Sequence, residues 1–154
     1  MFSQKDAEIL THIRNNARKK VTKIAKDTNI PVTTIYDKLR AHEKKFIKKH
    51  TALLDFSKLG MHAKSHISIA VEREDKDALQ KFLMQNPNVN SLCKINFGFD
   101  FMAEVIFKDF LGVENFISNL ERDYKTTKVQ NFTVIEELKR EDFLTKPEHF
   151  GLIL

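Results

Sequence analysis

Apolar residues recur along this chain at two periods, and the change from one to the other divides it. In the first 45 residues the spacing is helical. Ala7, Ile9, Leu10 and Ile13 share one side of a segment that Ser3 can cap, with Asp6 as a capping-box partner and Asn15-Asn16 as its end. Val21, Ile24 and Ala25 mark a second amphipathic helix with Lys23 and Lys26 on its outer side. Asp27, Thr28 and Asn29 interrupt it: short polar side chains compete for the backbone, and Asn tolerates the left-handed conformation of a tight turn. Pro31 can open a third helix, where its missing N–H removes no bond, and Ile35 and Leu39 continue it at four-residue spacing. A short helix, a tight turn and a longer helix make a helix-turn-helix layout, and a plain helical hairpin has the same pattern.

Beyond the third helix the run from Phe46 to Leu54 is β-branched and basic, which predicts a strand leading away from the helices. Asp55 to Gly60 has turn character and marks a boundary. Lys64 to Val71 then alternates, with Ile67, Ile69 and Val71 on one face. Helical spacing returns over Asp75–Gln85, and strands follow at Val89–Ile95 and Phe101–Phe107 across the hairpin signal Asn96–Asp100. Val113–Tyr124 predicts another helix and Val129–Leu138 a last strand. The order β-α-β-β-α-β is the split arrangement of a ferredoxin-like sandwich. Its helices cover one face of the sheet, and apolar residues on both sides of the strands argue against a bare second face, so pairing of two copies through the sheet is expected.

The expected protein is therefore α+β. Residues 1–50 form a three-helix, winged helix-turn-helix domain, 51–63 a linker strand and hinge, and 64–138 the ferredoxin-like effector and oligomerisation domain. Residues 139–154 form a tail too apolar to be free, which should dock on its own or a neighbouring subunit.

Charge sharpens the division. Residues 1–50 hold thirteen Lys or Arg against five Asp or Glu, net +8, whereas the remainder holds thirteen against sixteen, net −3. One module thus suits a polyanion and the other does not. Lys44, Lys45, Lys48 and Lys49 are placed to meet phosphates, or to form a solvated edge. The single cysteine, Cys93, can form no intrachain disulfide, and an intracellular, cytoplasmic protein is expected. No segment has the apolar length of a signal peptide core or a membrane span, so no membrane partner is expected. The six histidines, at 12, 42, 50, 62, 66 and 149, show no ligand spacing and read as isolated side chains, with no metal or cofactor. Thirteen phenylalanines and no tryptophan predict a phenylalanine-rich core.

Several stretches together resemble the Lrp/AsnC family of leucine-responsive or feast/famine transcription regulators. DAEILTHIRNNARKKVTKIAKDTNI is similar to the family's first two helices, TTIYDKLRAHE to its recognition helix and TALLDFSKLG to the segment leaving the DNA-binding domain, and the PNV and FDF pieces match its second domain. The resemblance implies a sequence-specific DNA-binding transcription regulator, not an enzyme, with an amino acid or other small metabolite as effector. Its partners would be double-stranded DNA and itself, as a dimer and then an octamer or other assembly of dimers. The helix beginning near Val32 would enter the major groove. Thr33, Tyr36, Asp37 and Arg40 would face outward and Thr34 and Lys38 the flanking backbone, with Asp37 able to accept from cytosine or to pair with Arg40 or Lys38.

Three departures concern structure: Pro31 replaces a capping Ser, His42 replaces a core Leu, and a Gly between Lys45 and Phe46 is absent. A fourth concerns the effector. Phe97 stands where the family has Gly, and Gly98 follows one place later, in the turn that borders the family's small-molecule site between subunits. The candidate pocket is Asn96, Phe97, Gly98, Phe99 and Asp100 with the facing strand around Thr133, and a packed hairpin serving the oligomer interface is the competing reading. Two alternatives stay open: an enzyme like the siroheme decarboxylases, which share this layout, and a non-specific architectural DNA-binding protein.

Overall fold

Three helices form where the helical period runs: α1 (Gln4–Asn15), α2 (Val21–Thr28) and α3 (Val32–Lys45), in a computed structural model that describes residues 2–154. Ser3 and Asp6 close a full capping box on α1, each side chain meeting the other's backbone N–H. Asn29 takes the left-handed conformation (φ 57°) that ends α2, and the chain re-enters a helix directly after Pro31, whose carbonyl accepts from Ile35 N–H at 3.1 Å. Ile9, Ile24, Ile30 and Ile35 form the core, with Ile13, Val21, Ala25 and Leu39 against it. Ile30 sits inside the turn and pins both helices to it.

These helices belong to one compact unit that comprises the N-terminal residues to Leu53 together with Leu138–Leu154. The tail packs on α1. Arg14 pairs with Glu141 and donates through Nε to the Phe143 carbonyl at 3.1 Å, and a short 3₁₀ helix at Pro147–Leu152 completes the contact. Residues 47–55 form no strand, which corrects the expected linker strand and wing. An extended segment needs an edge to satisfy its backbone, and among the described residues there is one sheet, which does not accept it.

The second unit, Leu54–Glu137, contains that sheet. Strands β1 (Ala63–Val71), β2 (Val89–Lys94), β3 (Phe101–Phe107) and β4 (Thr126–Thr133) lie in the order β2-β3-β1-β4, all antiparallel, with α4 (Lys76–Gln85) and α5 (Phe110–Asp123) on one face. Leu79, Leu83, Val113, Phe116 and Leu120 from the helices meet Ile67, Ile69, Phe101, Ala103 and Val105 from the strands. Gly112 is required where it stands, because a Cβ there would come within 2.8 Å of the Phe107 side chain. The buried core is nonetheless mainly aliphatic. Phe101 and Phe116 are its buried phenylalanines among the described residues, with Phe82 and Phe107 packed against Phe116 from partly buried positions, while Phe46, Phe97, Phe110, Phe132 and Phe143 are exposed, so the phenylalanines cluster in this core only in part.

The opposite face of the sheet is more polar than its alternation suggested. It presents Lys64, His66, Ser68, Lys128 and Gln130 beside Ala70, Met102, Ile106 and Phe132. At its middle Glu104 is buried, accepting from Asn90 Nδ2, with Lys64 Nζ at 3.6 Å and His66 Nε2 at 3.7 Å. No helix among the described residues is long and apolar enough to cross a membrane.

Candidate nucleic-acid interface

The orientation of α3 follows from what it buries. Ile35 and His42 are inside and Leu39 lies against the core, so the other side of the helix looks outward. Thr33, Tyr36, Asp37 and Arg40 occupy that side and are exposed. Their side chains make no hydrogen bond or ion pair with any described residue. Asp37 in particular pairs with neither Arg40 nor Lys38. Thr34 is half-buried. Lys44, Lys45 and Lys48 are exposed at and just beyond the helix end, likewise without ion pairs among the described residues.

Lys38 behaves differently. It is half-buried, and its Nζ lies 2.8 Å from Asp6 Oδ1. The same oxygen lies 2.8 Å from His42 Nε2. The other oxygen, Oδ2, accepts from Ser3 N–H at 2.8 Å and from the Ser3 hydroxyl at 2.5 Å. Burial alone would raise the Asp6 carboxyl, but hydrogen bonds from Lys38, Ser3 and His42 outweigh it and hold the group well below the usual carboxylate range. His42 is only 2% exposed, so it is not the isolated histidine that its spacing implied. The capping box was visible in the sequence. The link from Asp6 to α3 was not, because its partners lie 32 and 36 residues away.

The candidate effector residues are divided within one chain. Phe97 and Gly98 both take positive φ (57° and 81°), and Phe99 N–H reaches the Asn96 carbonyl at 3.4 Å, which makes a type I′ turn. Phe97 is 93% exposed at its tip. Phe99 lies under Lys128 Nζ, 4.6 Å from the ring centroid. Asp100 pairs with Lys76 at 2.5 Å and accepts from Val71 N–H at 3.0 Å; both contacts, Lys76 foremost, lower its pKa. Val71 is the last residue of β1, whereas Thr133 pairs with Ser65. Six residues of strand, about 20 Å, therefore separate the hairpin from Thr133 in a single chain. A cleft of about 370 Å³ between α4 and β2 is lined by Leu83, Met84, Leu92, Lys94 and others, and by none of these candidates.

A trihelical unit with a tight-turned second and third helix, followed in the chain by a ferredoxin-like unit, is the plan of a helix-turn-helix regulator with a separate second domain. No protein-family model matches the chain. It is similar to an HTH-type transcriptional regulator of Pyrococcus horikoshii, with 22% identity over 143 residues that cover 92% of this chain and 96% of that protein. In structure it is similar to a transcriptional regulator of Neisseria meningitidis solved as its L-methionine complex (TM-score 0.84, 14% identity, 91% of this chain and 94% of that one). AsnC of E. coli is similar too (TM-score 0.81, 15% identity, 91% and 96%). The chain has the fold of the Lrp/AsnC regulators, and its relatives and structural neighbours are transcriptional regulators.

Proposed function

We propose that this chain is a sequence-specific DNA-binding transcription regulator, working as a dimer or an assembly of dimers, with the outward side of α3 in a major groove. The observation that carries the reading is a polar helix face with no partner of its own: Thr33, Tyr36, Asp37 and Arg40 are exposed and unpaired among the described residues, beside Lys44, Lys45 and Lys48. Arg40 suits guanine or phosphate, Thr33 a base edge or a thymine methyl, and the lysines the flanking backbone. The net +8 of residues 1–50 supplies the sequence-independent attraction. The regulator relatives support the same reading. A siroheme-decarboxylase-like enzyme draws no comparable support from them.

Two copies would present two α3 helices to successive major grooves about 34 Å apart, so sites should be roughly palindromic. Selection of bound sequences from random duplex DNA tests this. Paired half-sites are the expected return, whereas enrichment of no motif would leave only non-specific architectural binding. Arg40→Ala should weaken binding to the selected site severalfold or more, about 1–3 kcal/mol. Unchanged affinity in a shift assay would remove Arg40 from the interface.

An amino-acid effector is a second reading, favoured by the L-methionine bound to the Neisseria neighbour. Because Asn96–Asp100 and Thr133 lie at opposite ends of β1, a pocket built from both would draw them from different subunits. Calorimetry against L-methionine and the other amino acids tests it: heat that Thr133→Val abolishes is expected, and no heat for any of them would end this reading.

A further inference from the structure

The side of α3 that faces α1 is not held by apolar contacts alone. Lys38 and His42 stand one helical turn apart on α3 and converge on a single oxygen of Asp6, each at 2.8 Å. One carboxylate thus spans a turn of the helix, which restrains both its rotation and its position along its axis. The other oxygen is engaged by Ser3 at the start of α1, so the group belongs to two helices at once. The site is enclosed, with Asp6 7% and His42 2% exposed. With Asp6 ionised, His42 Nε2 is the donor, and the Nδ1 atom is buried without a partner.

We propose that Asp6 is a positioning residue for DNA recognition. By holding Lys38 and His42 against α1 it sets the rotation that turns Thr33, Tyr36, Asp37 and Arg40 outward, and it withdraws Lys38 from the residues that meet phosphate. The inference rests on the reading of α3 as the recognition helix and deepens it. It also changes the expected interface: the resemblance turns Lys38 toward the DNA backbone, yet its ammonium is committed to a carboxylate inside the protein. Leaving that carboxylate would strand a buried charge for the sake of one solvent-screened phosphate contact.

The test uses the full chain and a duplex from the selection, with affinity followed across a range of salt. Asp6→Asn and Lys38→Met should each weaken binding by about tenfold or more, and the double variant should bind no worse than the weaker single. Lys38→Arg, which can reach the same carboxylate, should restore affinity. The slope of log affinity against log salt should be the same for Lys38→Met as for the unaltered chain. A slope shallower by about 0.9, with additive losses, is the signature of a phosphate contact and would overturn the proposal. Unfolding of the same chain in denaturant tests the clamp without DNA. Asp6→Asn and His42→Leu should be strongly non-additive, and additive effects would overturn the clamp. Should the unaltered chain bind no duplex, the regulator reading falls, and the unfolding cycle still decides whether Asp6 fixes α3.

Discussion

Asp6 joins Ser3, Lys38 and His42 through its two carboxylate oxygens, and its ionisation gives a prediction with a definite sign. Its folded pKa lies below the free value of 3.8, so its contribution is complete above that pH and is lost as pH falls towards the lower folded value. The N-terminal unit should therefore hold its stability from neutrality into mild acid and lose it steeply below about pH 4. Asp6→Asn should lower stability at neutral pH by about 2 kcal/mol and flatten that acid limb. Amide exchange of α1 and α3 followed against pH would show both effects. If Asp6→Asn kept the full acid dependence, the exposed carboxylates of this unit, such as Asp27 and Glu141, would be its source. Of this arrangement the sequence discloses only the local half. Ser3 and Asp6 are three residues apart and read as a cap, whereas a histidine far along the chain gives no periodic signal that it will meet a carboxylate on another helix.

At the level of elements, position was legible and ends were not. The apolar stripes of α4 and α5 and the alternation of β1 followed from residue spacing, because each must bury one side. The start of α5 did not. Asp109 accepts from Gly112 N–H at 3.0 Å and starts the helix at Phe110, ahead of the apolar stripe at Val113. β4 differs from the expected Val129–Leu138 at both ends: it begins at Thr126 and its ladder stops at Thr133, opposite Ser65, leaving Ile135 92% exposed and Leu138 outside the sheet. Hydrophobicity extends a predicted strand, while pairing ends the real one. The β2-β3 hairpin shows the reverse case, in which composition opposes conformation. A type I′ turn favours Asn-Gly, yet Phe97 holds the first left-handed position with its ring in solvent. Phe97→Asn should therefore stabilise the ferredoxin-like unit by about 1 kcal/mol, measured by denaturant unfolding. A loss of stability would mean that the ring has contacts in an assembly of copies.

For the molecule as a whole, the chain's path matters as much as its two folds. It passes from the first unit to the second near Leu53 and returns near Leu138, so the N-terminal unit is built from both ends of the sequence. Composition suggested a tail in need of a partner but could not name the surface, since that surface is α1, more than a hundred residues earlier in the chain. The attachment is of mixed strength. Arg14 and Glu141 are both substantially exposed, and the pair lowers the Glu141 pKa, but such pairs contribute at most about 1 kcal/mol. The half-buried Leu144, Phe150 and Ile153 add apolar area on the same unit. Removing residues 139–154 should thus destabilise the N-terminal unit by about 2–3 kcal/mol, and Arg14→Ala by less than about 1 kcal/mol. Amide exchange resolved by residue separates these effects: α1, α2 and α3 should exchange faster in the truncated chain while β1 and β3 stay as protected as before. Acceleration in the sheet instead would show that the tail stabilises the second unit, and no change in either would show that its contact with α1 carries no stability.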